Sequence, residues 1–303
     1  MLASRFSRAA PRGNDAMTPK RTDFRFLDRL RVRWVEVDMQ RIVFNGHYLM
    51  YFDTAIAGYW RAMALPYHET MQSLDGDLFV RKATVEYAGS ARYDDQLDVG
   101  IRTQRVGNSS MVLACAAFRG EQFLVGGELV YVFADPATMR SKPVPDKLRD
   151  LLQSFEAGGS MIELRLGRWD ELGAAAWAIR KQVFIEEQKI PAELEHDSAD
   201  VDCVHALACN RFGVPLATGR LHEVAPGVGK IGRMAVLASM RGSRIGRRVL
   251  DGLIDCARER GQREVVLHAQ LSAAPFYSRA GFAERGPVFE EAGIPHVEMA
   301  RAL

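Results

Sequence analysis

Arg241-Gly242-Ser243-Arg244-Ile245-Gly246 places two guanidinium groups and two glycines within six residues. It stands directly ahead of an amphipathic run in which Ile245, Val249, Leu253 and Ala257 recur every four residues. A β-like run, Ile231-Gly232-Arg233-Met234-Ala235-Val236, precedes it. The chemistry this spacing offers is anion binding. The first amides of a helix have no partner inside the helix, and the helix dipole favours negative charge beside them. Glycine admits a close main-chain approach, and arginine supplies forked donors that suit phosphate oxygens. The same six residues also fit an ordinary helix start.

Two further groups of residues carry chemistry. Asp38 comes shortly before a helix expected to begin at about Asn45. Such a carboxylate can cap the helix, worth about 1 kcal/mol. It can also face an oxyanion site made by the helix amides, as nucleophile or general base. His47 reads as a surface histidine or as a residue that orients water or Asp38. Arg81, Lys82 and Arg92 read as solvated charges or as phosphate contacts. In the second half Tyr277 offers a phenol and is equally a packed aromatic on a short helix. Glu187, His222 and His268 are candidates to take a proton, and none stands out. His268 sits in a mostly apolar strand and also reads as a core histidine. Glu186-Glu187 fits an exposed helix face, and His296 a pocket wall or a loop end.

The elements that must position these residues fall into two sets. The first half reads as a strand from Leu30 to Val37 and a helix from about Asn45 to Met63, with Phe52, Ile56, Tyr59 and Met63 on one face. Strands follow at Leu78–Tyr87, Gln96–Val106, Met111–Phe118 and Phe123–Ala134, separated by Gly107-Asn108-Ser109 and Arg119-Gly120-Glu121. Pro143 and Pro145 precede a short helix ending near Phe155. Ala157-Gly158-Gly159-Ser160 is a flexible joint. Beyond it come a strand (Met161–Leu166), a helix (about Asp170–Glu187) and a hairpin (Val204–Asn210 with Pro215–Val224). The basic loop and its helix to about Arg260 follow. A strand (Val265–Gln270), a short helix (Ala273–Ala280) and a last strand (Val297–Ala300) close the chain. The fold class expected is α+β: an antiparallel sheet on one long helix, then an α/β mixed-sheet domain.

The chain has 303 residues, 48% hydrophobic and 26% charged, which suggests two globular domains. A formal net charge of +2 argues against nucleic-acid binding, and no apolar run approaches a membrane span. The four cysteines lack CxxC spacing, so no zinc site is indicated and reduced thiols in a cytoplasmic protein are expected. Residues 1–22, rich in Arg, Ser and Ala, read as a disordered tail, although a transit peptide has the same flavour.

The residues around Arg241–Gly246 resemble the pyrophosphate loop of the GNAT acyltransferases, Gln/Arg-x-x-Gly-x-Gly/Ala. Arg241 and Gly246 match its ends, and Arg244 stands where the family has glycine. Phe276-Tyr277-Ser278-Arg279-Ala280-Gly281-Phe282 is similar to the superfamily's Phe-Tyr-x-x-x-Gly-Phe. Arg180-x-x-Val183-Phe184-x-x-Glu187-Gln188, then His196-Asp197, and Gly293-Ile294-Pro295-His296-Val297-Glu298-Met299 resemble the ElaA-like branch. Asp38-x-x-Arg41-x-Val43-x-x-x-x-Tyr48 resembles the active-site stretch of 4-hydroxybenzoyl-CoA thioesterase-like (YbgC-like) hotdog proteins, with Arg41 in place of their glycine.

The resemblances imply a tail (1–22), a hotdog domain (23–156), a linker (157–160) and a GNAT domain (161–303). They imply acetyl-CoA or acyl-CoA as substrate, an amine acceptor, no metal and at least a homodimer through the hotdog. By resemblance, Asp38 attacks the thioester or activates water, and the amide near Asn45 holds its oxygen. Met234, Ala235 and Val236 pair with the pantetheine arm. Arg241, Gly242, Ser243, Arg244, Ile245 and Gly246 hold the pyrophosphate, and Tyr277 protonates the leaving thiolate. The alternative is a GNAT enzyme whose hotdog is a non-catalytic dimerisation or acyl-binding module.

Overall fold

A computed structural model describes residues 18–195 and 197–303. The expected tail therefore lies mostly outside the described residues, as does His196. Two compact units emerge. One comprises the chain up to Ile56 with Val80–Arg105 and Met111–Tyr131; the other comprises Ala57–Phe79, Val106–Ser110 and Val132–Leu303.

The first half builds a five-stranded sheet in the order β1-β3-β4-β5-β2. Its strands are β1 (Phe26–Arg31), β2 (Asp77–Tyr87), β3 (Gln96–Val106), β4 (Ser110–Arg119) and β5 (Gln122–Ala134). The helices are α1 (His47–Ala62), α2 (Tyr67–Ser73) and α3 (Asp146–Glu156). β1 pairs antiparallel with β3, from Phe26 opposite Ile101 to Arg31 opposite Gln96. α1 buries Tyr48, Phe52, Ala55 and Tyr59, residues that recur every three or four positions along one helical face. Phe52 reaches the sheet at Gly127, where an added Cβ would stand 3.4 Å from its ring. Phe24, Ala116 and Phe118 form a further buried cluster on this sheet.

One expectation fails here. The strand predicted over Leu30–Val37 stops at Arg31, and Trp34–Glu36 forms a 3₁₀ turn. The cause is local: the Glu36 carboxylate accepts from the Arg33 amide (2.7 Å), and the Glu36 amide donates back to the Arg33 carbonyl (3.1 Å). A reciprocal pair three residues apart closes a turn and removes the segment from the sheet.

The second half is a seven-stranded mixed sheet in the order β11-β12-β10-β9-β8-β7-β6. Its strands are β6 (Ile162–Gly167), β7 (Val204–Asn210), β8 (Pro215–Ala225), β9 (Val228–Val236), β10 (Glu264–Gln270), β11 (Ala283–Glu291) and β12 (Ile294–Ala302). Its helices are α4 (Trp169–Arg180), α5 (Ala192–Glu195), α6 (Ile245–Glu259) and α7 (Ala274–Ser278). α6 buries Ile245, Val249, Leu250, Leu253, Ile254 and Ala257, the face its four-residue spacing implied. A second cluster joins Ile179, Val183, Leu207, Cys209 and Ala235, tying α4 to the sheet.

The helix predicted over Asp170–Glu187 is also corrected. α4 ends at Arg180, and Lys181–Glu187 continues as a π-helical turn. Its last bond runs from the Gln188 amide to the Val183 carbonyl (3.1 Å), five residues back. Such turns rotate the following side chains relative to an α-helix and recur at functional sites. Here Val183, Phe184 and Gln188 are delivered to one cleft.

Candidate functional site

β9 and β10 are parallel, but only Val228–Lys230 pairs with Glu264–Val266. Beyond Lys230 the two strands separate. β9 is further distorted by a bulge: Gly232 opposes Arg220 and Ala235 opposes Thr218, so Arg233 and Met234 share the position opposite Gly219. Arg233 adopts the left-handed conformation, with φ of 53°. The fork leaves Met234, Ala235 and Val236 without a strand on their β10 side. It opens a cleft of about 1360 Å³ that these three residues line.

The basic loop closes one end of the cleft. Gly242 has φ of 83° and Arg244 φ of 65°, both in the left-handed region. Gly246 lies in the first turn of α6, where an added Cβ would meet Val236 at 3.1 Å, so glycine lets the helix start press against β9. Arg241, Gly242, Arg244, Ile245 and Gly246 all line the cleft. Ser243 stands apart from the lining; its hydroxyl donates to the Met240 carbonyl (2.5 Å). Arg241 is already engaged. Its two terminal nitrogens donate to the two carboxylate oxygens of Glu187, each at 2.6 Å, and its Nε donates to the Val236 carbonyl. Hydrogen bonding and charge from Arg241 hold the Glu187 carboxyl below its ordinary range.

Tyr277 lines the same cleft and is 8% exposed, with Phe276 and Phe282 edge-on at 4.9 and 6.0 Å. Burial pushes its phenol up to about 12, so it stays protonated at neutral pH. The structure thus brings together Tyr277, the forked strand and the basic loop.

Below them lies a network that sequence reading missed. Arg180 is 1% exposed and donates to Glu195 (2.5 Å) and Asp200 (2.9 Å), with Trp169 and Trp177 rings 5.6 Å away. Arg220 donates to Asp200 (2.6 Å) and Asp197 (2.5 Å). Arg233 lies 3.3 Å from Glu195 and 3.7 Å from Asp197. Three cations thus face three carboxylates, and the π turn is anchored to the bulged strand. Burial opposes ionisation of Asp197, but Arg220, the Ala199 amide and Arg233 outweigh it and hold the carboxyl at about 2. The signal was present: Arg180 shares a buried helical face with Gly173 and Ala176, where a cation needs partners.

The Asp38 segment belongs to the first unit. Asp38 Oδ1 accepts from the Gln40 amide (2.8 Å), and its backbone closes a turn with Arg41 and Ile42. Arg41 has φ of 62°, so a non-glycine holds the left-handed turn here too. Asn45 precedes α1 rather than opening it, and its carbonyl accepts from the Tyr87 hydroxyl (3.0 Å). Glu36 is buried at 3% exposure and accepts from Tyr51 (2.7 Å). Tyr48 receives the Ala91 amide (2.9 Å). Among the described residues no helix is long and apolar enough to cross a membrane.

The sequence profile of the Acetyltransferase (GNAT) domain matches residues 186–303, and that of the Thioesterase superfamily matches residues 40–125. A putative acetyltransferase of Bacillus subtilis is 38% identical over 129 residues, covering 42% of this chain and 86% of the relative. The chain belongs to the GNAT acetyltransferase family. In this GNAT protein the acetyltransferase region follows a hotdog domain of the thioesterase superfamily. Protein ElaA of Escherichia coli is 31% identical over 131 residues, covering 41% of this chain and 84% of ElaA. The crystal structure of that ElaA aligns with 46% of this chain and 99% of its own, at 29% identity and a TM-score of 0.43.

Proposed function

We propose that the GNAT region moves an acetyl group from acetyl-CoA to an amine, and that the hotdog region hydrolyses an acyl-CoA thioester. The domain limits taken are 23–156 and 161–303, joined by 157–160. One observation carries the acetyl-transfer reading: the strand fork, the left-handed basic loop and a buried phenol line a single cleft. Met234–Val236 offer main-chain partners to the amide-bearing arm of CoA. The amides at the start of α6, with Arg241 and Arg244, take its diphosphate. The amine attacks the thioester carbonyl, and Tyr277 gives its proton to the departing thiolate. Proximity in the cleft supplies much of the acceleration.

In the hotdog region Asp38 acts as nucleophile or base, and the main chain by Asn45 holds the thioester oxygen. Loss of one such donor typically costs about 10²–10³ in rate. The protein is at least a homodimer in the cytoplasm. Trp34, Val35 and Met39, which are 75%, 74% and 101% exposed beside the Asp38 turn, support a second copy covering this surface. The reading in which the hotdog only dimerises or binds acyl chains is favoured by the Asp38 carboxylate being used in its own turn.

The test is calorimetry of the full chain with acetyl-CoA, followed by thiol release with and without amines and with Asp38→Ala. Amine-dependent release with no heat lost in Asp38→Ala supports acetyl transfer. Equal amine-free hydrolysis by wild type and Asp38→Ala removes the thioesterase assignment.

A further inference from the structure

Four strands contribute to a cluster at the cleft that the reading above leaves unused. His268 on β10 and Lys230 on β9 line the cleft, as do Glu291 at the end of β11 and His296 on β12. His268 Nδ1 lies 2.8 Å from Glu291 Oε2. Burial alone would raise the Glu291 carboxyl, but the hydrogen bond from His268 and the nearby Lys230 charge hold it below its ordinary range. An ionised carboxylate has no proton to give, so the 2.8 Å contact is Nδ1–H donating to Glu291, and Nε2 keeps its lone pair.

The remaining neighbours fix the ring, and one of them, Lys230, is a donor within reach of that lone pair. The Phe289 ring packs edge-on at 4.8 Å, and His296 stacks on Phe289 at 6.1 Å. His296 spends its own Nδ1–H on the Ile294 carbonyl (2.7 Å). Glu298 Oε2 is 3.9 Å from His268 Nε2, but its other oxygen receives Arg285 at 2.5 Å. Lys230 Nζ stands 3.3 Å from each ring nitrogen. An entering amine displaces Lys230 from Nε2.

We propose that His268, oriented by Glu291, is the group that takes the proton from the acceptor amine during acetyl transfer. The proposal rests on the acetyl-transfer reading. An ammonium acceptor first gives one proton to His268 Nε2. The freed lone pair then forms the N–C bond, and the thioester carbonyl becomes an oxyanion. As the C–S bond breaks, the second amine proton reaches the thiolate through Tyr277. The products are the acetamide and CoA thiol, and the imidazolium returns its proton to water. Glu291 is a positioning residue in this step: it touches His268 and not the acceptor.

The experiment uses the full chain and its His268→Gly, Glu291→Gln and Glu298→Gln variants. The probes are acetyl-CoA with ethanolamine, putrescine, lysine and glucosamine, amine-free release being subtracted. His268→Gly is expected to lose roughly 10²–10⁴-fold in kcat with CoA affinity kept, and added imidazole to restore part of it. Glu291→Gln is expected to lose about tenfold or more and to displace the acid limb of the pH–rate profile, whereas Glu298→Gln leaves that limb in place. Nitrogen-15 spectra of the imidazoles in the CoA complex are expected to show His268 as the Nδ1–H form in wild type and not in Glu291→Gln. Absence of imidazole rescue, with an unaltered acid limb in Glu291→Gln, would overturn the proposal. If wild type acetylates none of the four amines, the acetyl-transfer reading is what suffers. The spectra then decide the dyad by themselves, and an Nε2–H form in wild type sinks it.

Discussion

Glu187→Gln is expected to tighten CoA binding, although it removes a charged residue from the mouth of the site. The reason is the ion pair at Arg241. Both guanidinium ends are engaged by Glu187 at 2.6 Å, and the two side chains are 44% and 42% exposed. A diphosphate bound at the loop must displace that carboxylate. An exposed pair of this kind is worth up to about 1 kcal/mol, so its removal strengthens CoA binding by at most roughly fivefold. Arg241→Ala should act in the opposite sense. It forfeits charge-assisted bonds to phosphate worth about 1.5–3 kcal/mol, offset by the ion pair that no longer has to break. The net loss is then roughly twofold to thirtyfold in affinity. Calorimetry with CoA at two salt concentrations separates the cases. The benefit of Glu187→Gln should shrink as salt screens the pair. Any CoA bound through the other unit contributes equally in all three proteins. If Glu187→Gln leaves the affinity unchanged or weakens it at low salt, the competition argument is wrong and Glu187 is a ligand-side residue.

Tyr277→Phe should lower kcat for acetyl transfer by roughly 10²–10⁴-fold with CoA affinity unchanged, read from steady-state kinetics beside calorimetry. Arg41→Gly keeps the turn, since φ of 62° suits glycine, and should raise Asp38-dependent acyl-CoA hydrolysis; an equal rate in the two proteins clears the Arg41 side chain as an obstacle. Asp197 has a folded value near 2 against an ordinary 3.8, so its contribution is present above about pH 4 and fades as pH falls towards 2. That difference corresponds to about 2 kcal/mol, discounted to about 1 for a partly exposed carboxylate. Urea melts should therefore show Asp197→Asn less stable than wild type at pH 7, with the gap closing at pH 3.

Much of the scaffold was legible because it obeys simple periods. The buried stripe of α6 and the apolar runs of β3, β4, β7 and β10 repeat at 3.6 or resist alternation, and Gly-rich turns separate them. Tyr277 and the loop at 241–246 were legible because each is contiguous in sequence. Other features were not. The 3₁₀ turn at Trp34–Glu36 is set by one side-chain bond inside an otherwise β-like run. The π turn at Lys181–Glu187 keeps a helical pattern while moving the ladder by one residue. β11 is an exposed edge strand with Gly286 and Pro287 and a register shift between Arg285 and Phe289, so it shows no apolar period. The His268 cluster draws on residues 23 and 38 positions away, and no local spacing announces it, whereas of the Arg180 network only the cation on a buried helical face was visible. Left-handed Arg41 and Arg244 were visible only as departures from glycine.

The fork between β9 and β10 has a further use. Main-chain amides past Lys230 on β9 have no strand beside them on that side, so deuterium should enter them readily in the unliganded protein. Any molecule that seats its own carbonyl groups in the gap would slow that uptake at 234–236. Exchange mass spectrometry on these few amides therefore gives a docking footprint for candidate thioesters, with no turnover needed and no acceptor yet in hand.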